Sequence, residues 1–453
     1  MATWAWALDF QPVDKDGGAD PAAVPIGDVL GASVSYGKRG DALTYSGGTM
    51  TLELDNTDSA YTPDAGGTYS NARFLGVEVK LYADVTGAGA PTWTHGPPAA
   101  FTGYVADIDY TFSDTYNATV TVTVVDALTM LGTLSFDGGS YGFTLDSSSD
   151  GILDTTRLGY DLTDGLDIPS GTAAAGLDEA LTAATAVSPQ IAQYAVVNPS
   201  GDAGQTLQAV VDYTGTAGAL LTKIEHSNGG DVYVRHGLPI DGTKPYNSVT
   251  FRSRGQLPVS EAVTGVNELT ALNLFDARLA TSGTEPHYFA SIDFASGSTT
   301  SYSQASFTSI GGTEQTTSAN IDQFGARSIN RSGLLCVDDA QTLSVAESFL
   351  AQYGTDGAPP LNVRDIKMQP ITTGSSDSWQ LVKYSVGDTC SIQLRPEGST
   401  ATLDFTGVVS GIKWAITPQS STLTVQLEDG VQLIGFILDS TDYGVLDTDT
   451  LGF

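Results

Sequence analysis

The chain has 453 residues, enough for roughly two to four domains, each with a core of its own. Only 16% of the residues are charged, yet 52 Asp and Glu stand against 19 Lys and Arg. The resulting net charge of -33 repels nucleic-acid phosphates and excludes a surface that reads DNA, and no apolar run approaches the length of a membrane span, so direct membrane insertion is not expected.

In chain order, residues 1–160 read as the first β domain. The opening MATWAWALDF lacks a basic segment and a long apolar run and does not read as a signal peptide. Trp4–Phe10, Thr49–Leu54 and Val77–Tyr82 alternate with period two, and Thr119–Val125 (TVTVTVV) is the cleanest strand. Asp55-Asn56-Thr57-Asp58 and Thr62-Pro63-Asp64 punctuate the gaps as turns, and Ser113–Asn117 suggests a hairpin. Residues 161–250 form a small α+β unit. Leu177–Val187 and Thr206–Tyr213 are expected as helices, Leu220–Glu225 as a helical or coil turn, and Asp231–Arg235 as a strand ended by His236. Residues 251–355 return to short strands, with an exposed hairpin over Ala295–Ser309 and a closing helix over Asp339–Tyr353. Residues 356–453 form a second β domain.

That second domain repeats the first. FTGYVADIDYTF from Phe101 faces FTGVVSGIKWAI from Phe405, so Phe101, Gly103, Val105 and Ile108 match Phe405, Gly407, Val409 and Ile412. Phe143–Tyr160 matches Phe436–Phe453 without a gap, with Leu145 and Asp146 opposite Leu438 and Asp439. Val386-Gly387-Asp388 takes the place of Leu75-Gly76-Val77. In each FTG motif, Phe, Gly and Val share one strand face, but the Ile lies an odd number of residues on. A bulge or bend would bring it back, and Gly103 and Gly407 would permit that bulge or a close strand approach. The fold class is therefore mainly β with an α+β middle: two related tube-like β-barrel or sandwich domains flanking a small α+β region.

Chemistry is sparse. There is no phosphate-binding GxxxxGK[ST], no HExxH, no GxSxG and no metal-spaced CxxC. His95, His226, His236 and His287 are not at ligand spacing; His95 reads as a loop residue and His236 as a strand cap. Asp447-Thr448-Asp449 and Asp55-Asn56-Thr57-Asp58 could collect Ca²⁺ but lack the full EF-hand loop spacing and read as solvated turns, and Cys336 and Cys390 read as buried thiols. Lys38-Arg39-Gly40 is a rare basic spot, either a solvated hairpin tip or a partner for a neighbouring subunit's carboxylates. No catalytic residue, metal or cofactor is expected. A carbohydrate-binding reading draws on Trp93 and Tyr302, and a glycosidase reading on the many carboxylates, which have no specific spacing.

Several segments, taken in order, resemble the hub or minor tail proteins of tailed phages of the siphophage type. They are Gly48–Pro63 (GTMTLELDNTDSAYTP), Leu75–Val79, Phe101–Val105, Ile321–Arg327 (IDQFGAR) ahead of a helix and Pro359-Pro360, Tyr384–Leu394, Phe405–Ile412 and Ile416-Thr417-Pro418. The resemblance implies a non-enzymatic virion protein of the tail tip, assembled in the host cytoplasm as a homotrimer. Two tube-like domains per chain would then adapt a sixfold tail tube to a threefold tip. It also implies contacts with a distal tail protein ring, a tape measure protein, a central fibre or spike and other baseplate proteins, and genomic DNA only in passing. Unlike some relatives, the chain shows no lytic domain, helical stem or receptor-binding appendage before Phe453.

Overall fold

A computed structural model of the chain describes residues 2–16, 18–38, 44–63, 66–87, 90, 97–112, 118–136, 140–141, 160–161, 165–188, 191, 195–197, 204–236, 248–252, 289–296, 302–319, 327–353, 361–368, 381–382, 384–394 and 403–429. The first strands are β1 (Ala2–Phe10), β2 (Val29–Gly37), β3 (Ser46–Asp55), β4 (Glu78–Gly87), β5 (Ala99–Thr111) and β6 (Thr119–Val125). Helices α1 (Ala127–Thr133), α2 (Ala173–Val187) and α3 (Ala217–Asn228) follow, then the hairpin of β7 (Asp231–Arg235) and β8 (Ser248–Arg252). Next come β9 (Phe289–Ser296), β10 (Gln304–Ser309), β11 (Glu314–Ser318), β12 (Ser328–Leu334) and α4 (Asp339–Tyr353). The last strands are β13 (Leu361–Met368), β14 (Thr389–Leu394), β15 (Leu403–Ile416) and β16 (Ser421–Asp429).

One large antiparallel sheet dominates, in the order β1–β4–β5–β6–β3–β2–β15–β16–β13–β9, with β14 paired to β15 beside this path. Its strands alternate because one face is dry. Val120, Val122 and Val124 of β6 are buried, while the threonines between them are half-buried. Met50, Leu52 and Leu54 of β3 and Val34 and Tyr36 of β2 join them, as do Ile412, Trp414 and Ile416 of β15 and Leu423 and Val425 of β16, in a single core. The first and last parts of the chain, expected as separate domains, thus share one sheet and one hydrophobic core. β9, which the sequence reading places in the 251–355 region, pairs with β13 at the end of this sheet.

A second core lies under α1, α2 and α3 and includes Phe251, Val232, Val234 and Leu335. Each of these helices starts where a side-chain oxygen can accept an orphan N–H. Asp126 accepts from Thr129, Thr172 from Ala175 and Thr216 from Ala219. Thr206–Tyr213, expected as a helix, is instead two short strands, Thr206–Leu207 and Val210–Tyr213, the latter paired with Leu166–Ile168. The β-branched Val210 and Val211 favour that outcome. A third core sits between β10, β12 and α4. It buries Ala305 and Phe307, so the Ala295–Ser309 stretch is not the exposed hairpin expected. Tyr302 packs on the same core, its ring centroid 5.5 Å from that of Phe349, rather than standing out to meet a sugar; Trp93 lies outside the described residues.

The pairing of β5 with β6 shifts register between Val105 and Asp107, one bulge past Gly103. Gly103 itself marks a close approach: a Cβ there would stand 2.4 Å from the Val125 carbonyl oxygen, which is backbone and cannot swing away. Gly103→Ala is therefore expected to cost about 1–3 kcal/mol in a urea denaturation series. Gly132→Ala in α1, where a Cβ would meet nothing within 4 Å, should instead be neutral or stabilising by up to about 1 kcal/mol.

Candidate functional site

The seam between β2 and β15 joins the first part of the chain to the strand that carries the second FTG motif. Gly37 lies opposite Gly411, Tyr36 opposite Ile412, Val34 opposite Trp414 and Ala32 opposite Ile416. On either side of it, corresponding strands pair in corresponding registers. Val79 faces Gly103 and Leu81 faces Phe101, as Cys390 faces Gly407 and Ile392 faces Phe405. Val105 faces Val124 and Ile108 faces Val122, as Val409 faces Leu427 and Ile412 faces Val425. The register shift between Val105 and Asp107 has its counterpart between Val409 and Gly411. The preceding turns match as well. Gly76 (φ +78°) donates its N–H to Val105 O at 2.8 Å, and Gly387 (φ +90°) donates to Val409 O at 2.8 Å.

Of the residues the repeat singles out, Phe101, Val105, Val409 and Ile412 are buried in the first core, and Ile108 is half-buried at its margin. Gly103 and the backbones of Phe405 and Gly407 occupy the paired positions just given. Leu145, Asp146, Leu438 and Asp439 lie outside the described residues.

At the end of β2 the seam carries a buried charge cluster. Lys38, only 2% exposed, donates to both Glu428 carboxylate oxygens at 2.8 and 3.0 Å, and its Nζ lies 3.6 Å from Asp231 and 4.6 Å from the centre of the Tyr45 ring. This corrects both sequence readings of Lys38, as a solvated tip and as a partner for a neighbouring subunit; its carboxylates come from β7 and β16 of the same chain. Arg252 clamps Asp231 from β8, its Nε 3.0 Å from Oδ2 and its Nη2 on the same oxygen. Burial alone would raise the Asp231 carboxyl, but Arg252 and Lys38 more than offset it and hold it below its usual range. Arg235 donates to Asp388, which also accepts from Ser385 N–H at 2.8 Å; burial keeps the Asp388 carboxyl raised despite that arginine.

His236, expected to cap its strand, is instead a buried connector. Its ring stands 4.5 Å from the rings of Tyr36 and Phe101, Nδ1 accepts from Thr102 N–H at 3.4 Å, and Nε2 is 3.7 Å from Asp126. Behind the cluster, Glu225 of α3 is 5% exposed and accepts a hydrogen bond from the Val232 N–H. Burial first, and then Asp231, push its carboxyl up to about 8. Among the described residues no group of three or more His, Cys, Asp or Glu is placed to hold a metal. The cluster is an ionic interlock that fixes the β7–β8 hairpin and α3 to both sides of the seam. Sequence reasoning noticed Lys38 but missed Asp231, Arg252, Glu428, Arg235 and Asp388. The charged residues at both ends of the otherwise apolar DVYVR strand were the available signal.

No protein-family model matches this sequence, and no curated protein does. Among solved structures the chain is similar to a tail protein from Neisseria meningitidis MC58, with 12% identity, 95% of this chain and 98% of that one covered, and a TM-score of 0.52. It is also similar to the 43 kDa tail protein of prophage MuSo2 from Shewanella oneidensis, with 11% identity, 95% and 99% covered, and a TM-score of 0.51. The chain has the fold of these tail proteins.

Replacing Lys38 takes from Glu428 its buried cation and leaves Asp231 with Arg252 alone. Lys38→Met is expected to cost about 3–5 kcal/mol, and the double change Lys38→Met with Glu428→Leu to recover part of that loss in the same denaturation series. Glu225 sets a pH dependence. Its folded value is above the 4.5 of the free side chain, so its stabilising proton is fully present below about 4.5 and its benefit is lost as pH rises to about 8. Thermal unfolding of Glu225→Gln should lack that decline, leaving the variant on the order of 2–4 kcal/mol more stable than the parent at about pH 8.5.

Proposed function

We propose that this chain is a non-enzymatic structural subunit of a phage tail, a homotrimeric hub at the tail tip. In this reading three chains adapt a sixfold tube to a threefold tip and form part of the DNA exit channel. The observation that carries the reading is the pair of matched strand sets, with the same registers and the same bulge, inside a sheet whose fold is that of phage tail proteins. A closed ring needs equivalent interfaces, and two similar units in each of three chains supply six of them.

The face of the sheet turned away from the core supports the channel. One row across it runs Asp107, Thr123, Thr51, Ser33, Ala415 and Thr422, and a second runs Asp109, Thr121, Glu53 and Gly31. These short hydroxyl and carboxylate side chains give DNA no stacking surface, while a third row on the same face, Ser35, Lys413, Thr424 and Lys367, adds two exposed lysines. A distal tail protein ring, a tape measure protein and a central fibre or spike are the partners that such a hub would meet in the virion, after assembly in the host cytoplasm.

Light scattering over a concentration series, with electron-microscope class averages of the full chain in high salt, tests the reading. Threefold rings with six similar inner lobes are expected. Monomers at every concentration and salt would sink it.

A further inference from the structure

Lys38, Asp231 and Glu428 bring an amine, a carboxyl group and a proton carrier together at the buried end of the seam. Backbone ladders hold each of them. Lys38 follows β2 and is anchored by its N–H on the Ser410 carbonyl at 2.7 Å. Asp231 opens β7 directly opposite Arg252 of β8, and Glu428 lies on β16 opposite Val408. Nζ of Lys38 stands 3.6 Å from Oδ1 of Asp231, while Nε and Nη2 of Arg252 both donate to Oδ2. One carboxyl oxygen is therefore held by the guanidinium and the other faces the amine. Glu428 accepts from the same Nζ at 2.8 and 3.0 Å. The buried Tyr45 ring is centred 4.6 Å from Nζ and backed by the buried Tyr233, so the surroundings are largely apolar.

We propose that Lys38 and Asp231 condense into a side-chain amide after folding, so that the ionic interlock becomes a covalent staple. Glu428 takes a proton from the Lys38 ammonium, and the freed lone pair of Nζ attacks Cγ of Asp231. The charge that gathers on Oδ2 in the tetrahedral intermediate is met by the two N–H groups of Arg252. The Cγ–Oδ1 bond then breaks. Oδ1 leaves as water, taking one proton from Glu428 and the second from the attacking nitrogen. One ammonium and one carboxylate are consumed, one amide and one water are formed, and nothing is oxidised or reduced. Glu428 is the proton carrier rather than the acyl group, because its side chain is 25% exposed and Arg252 polarises Asp231 instead.

In water an ammonium and a carboxylate do not condense, because hydration stabilises both ions. Here both are buried, so their loss removes two desolvated charges, and the fold holds them at an effective concentration no solution reaches. The charge count stays balanced, since Arg252 and Glu428 remain. Glu225, whose carboxyl is pushed up to about 8, adds no further charge at neutral pH. Arg252 and Lys38 keep Asp231 ionised at rest, so the step is slow and the linked form accumulates after folding rather than with it. The product ties residues 193 positions apart, fixing β7 to the end of β2 and restricting the unfolded chain as a disulfide would. Unlike a disulfide, it is not reversed by reduction.

The test is the intact mass of the full chain, folded and held at neutral pH over several days. The expected result is a species lighter than the sequence by one water, whose protease digest contains a branched peptide joining Lys38 to Asp231. The same chain kept in strong denaturant should hold its linear mass, since only the fold brings the groups together. Lys38→Arg, which keeps the buried cation without the attacking amine, should stay linear when folded. Glu428→Gln, which accepts the same hydrogen bond without taking the proton, should slow the loss of water by about tenfold or more. A folded parent chain that keeps its full linear mass throughout would overturn the proposal, whatever the variants do. So would a branched peptide that joins Lys38 to Glu428.

Discussion

The antiparallel pairing of β2 with β15 is the constraint on which the remainder of the structure rests. These strands lie far apart in sequence, and their union makes one sheet from what would otherwise be two. It brings Tyr36 and Val34 against the same core as Ile412, Trp414 and Trp6, whose ring lies 5.3 Å from that of Trp414. Closing so long a loop is entropically costly, and the wide apolar core formed across the seam is what offsets it.

The buried charges follow from that pairing. Gly37 ends β2 opposite Gly411, so the next residue, Lys38, is delivered to the underside of the sheet, where Glu428 of β16 and Asp231 of β7 already point. A lysine there is tolerated only because carboxylates surround it, and Asp231 only because Arg252 and Lys38 do. Such a cluster contributes little net stability compared with packed apolar residues. Its geometry, however, admits few alternatives, so it fixes how the α3–β7 corner sits on the seam. His236, wedged between Tyr36 and Phe101 and bonded to Thr102, does the same a few ångströms away.

The polar face and the buried face of the sheet divide the work. Packing on one side holds the matched strand sets in equivalent positions. The threonine, serine and aspartate rows on the other are polar and half-buried or exposed, and in the proposed hub they would face the channel. Lys38, Asp231, Arg235 and Arg252 are buried and paired, whereas Glu53, Asp107 and Asp109 stand exposed on the polar face.

Much of this was legible in the sequence. Period-two alternation located β3, β4 and β6, and the helix over Asp339–Tyr353 coincides with α4. The odd spacing between Val105 and Ile108 called for a bulge, and a register shift lies there, although Gly103 serves strand approach instead. Local pattern failed where long-range pairing chose the conformation, as for Val210–Tyr213, where a ladder with Leu166–Ile168 competed with a helix. It failed again for Phe307, whose partners lie on α4. The role of Lys38 could not be read at all, because its carboxylates lie 193 and 390 positions along the chain and become neighbours only when β2 finds β15. The amino-acid sequence by itself determined the strands, their two faces, the duplication and the acidic balance, since each depends on side chains a few residues apart or on simple composition. Only the tertiary structure decided that the two β stretches share one sheet, that β9 belongs to the second, and that the charges meet at the seam. Those outcomes depend on which distant strand edges pair, and a β-strand carries the same backbone donors and acceptors whatever partner it will meet.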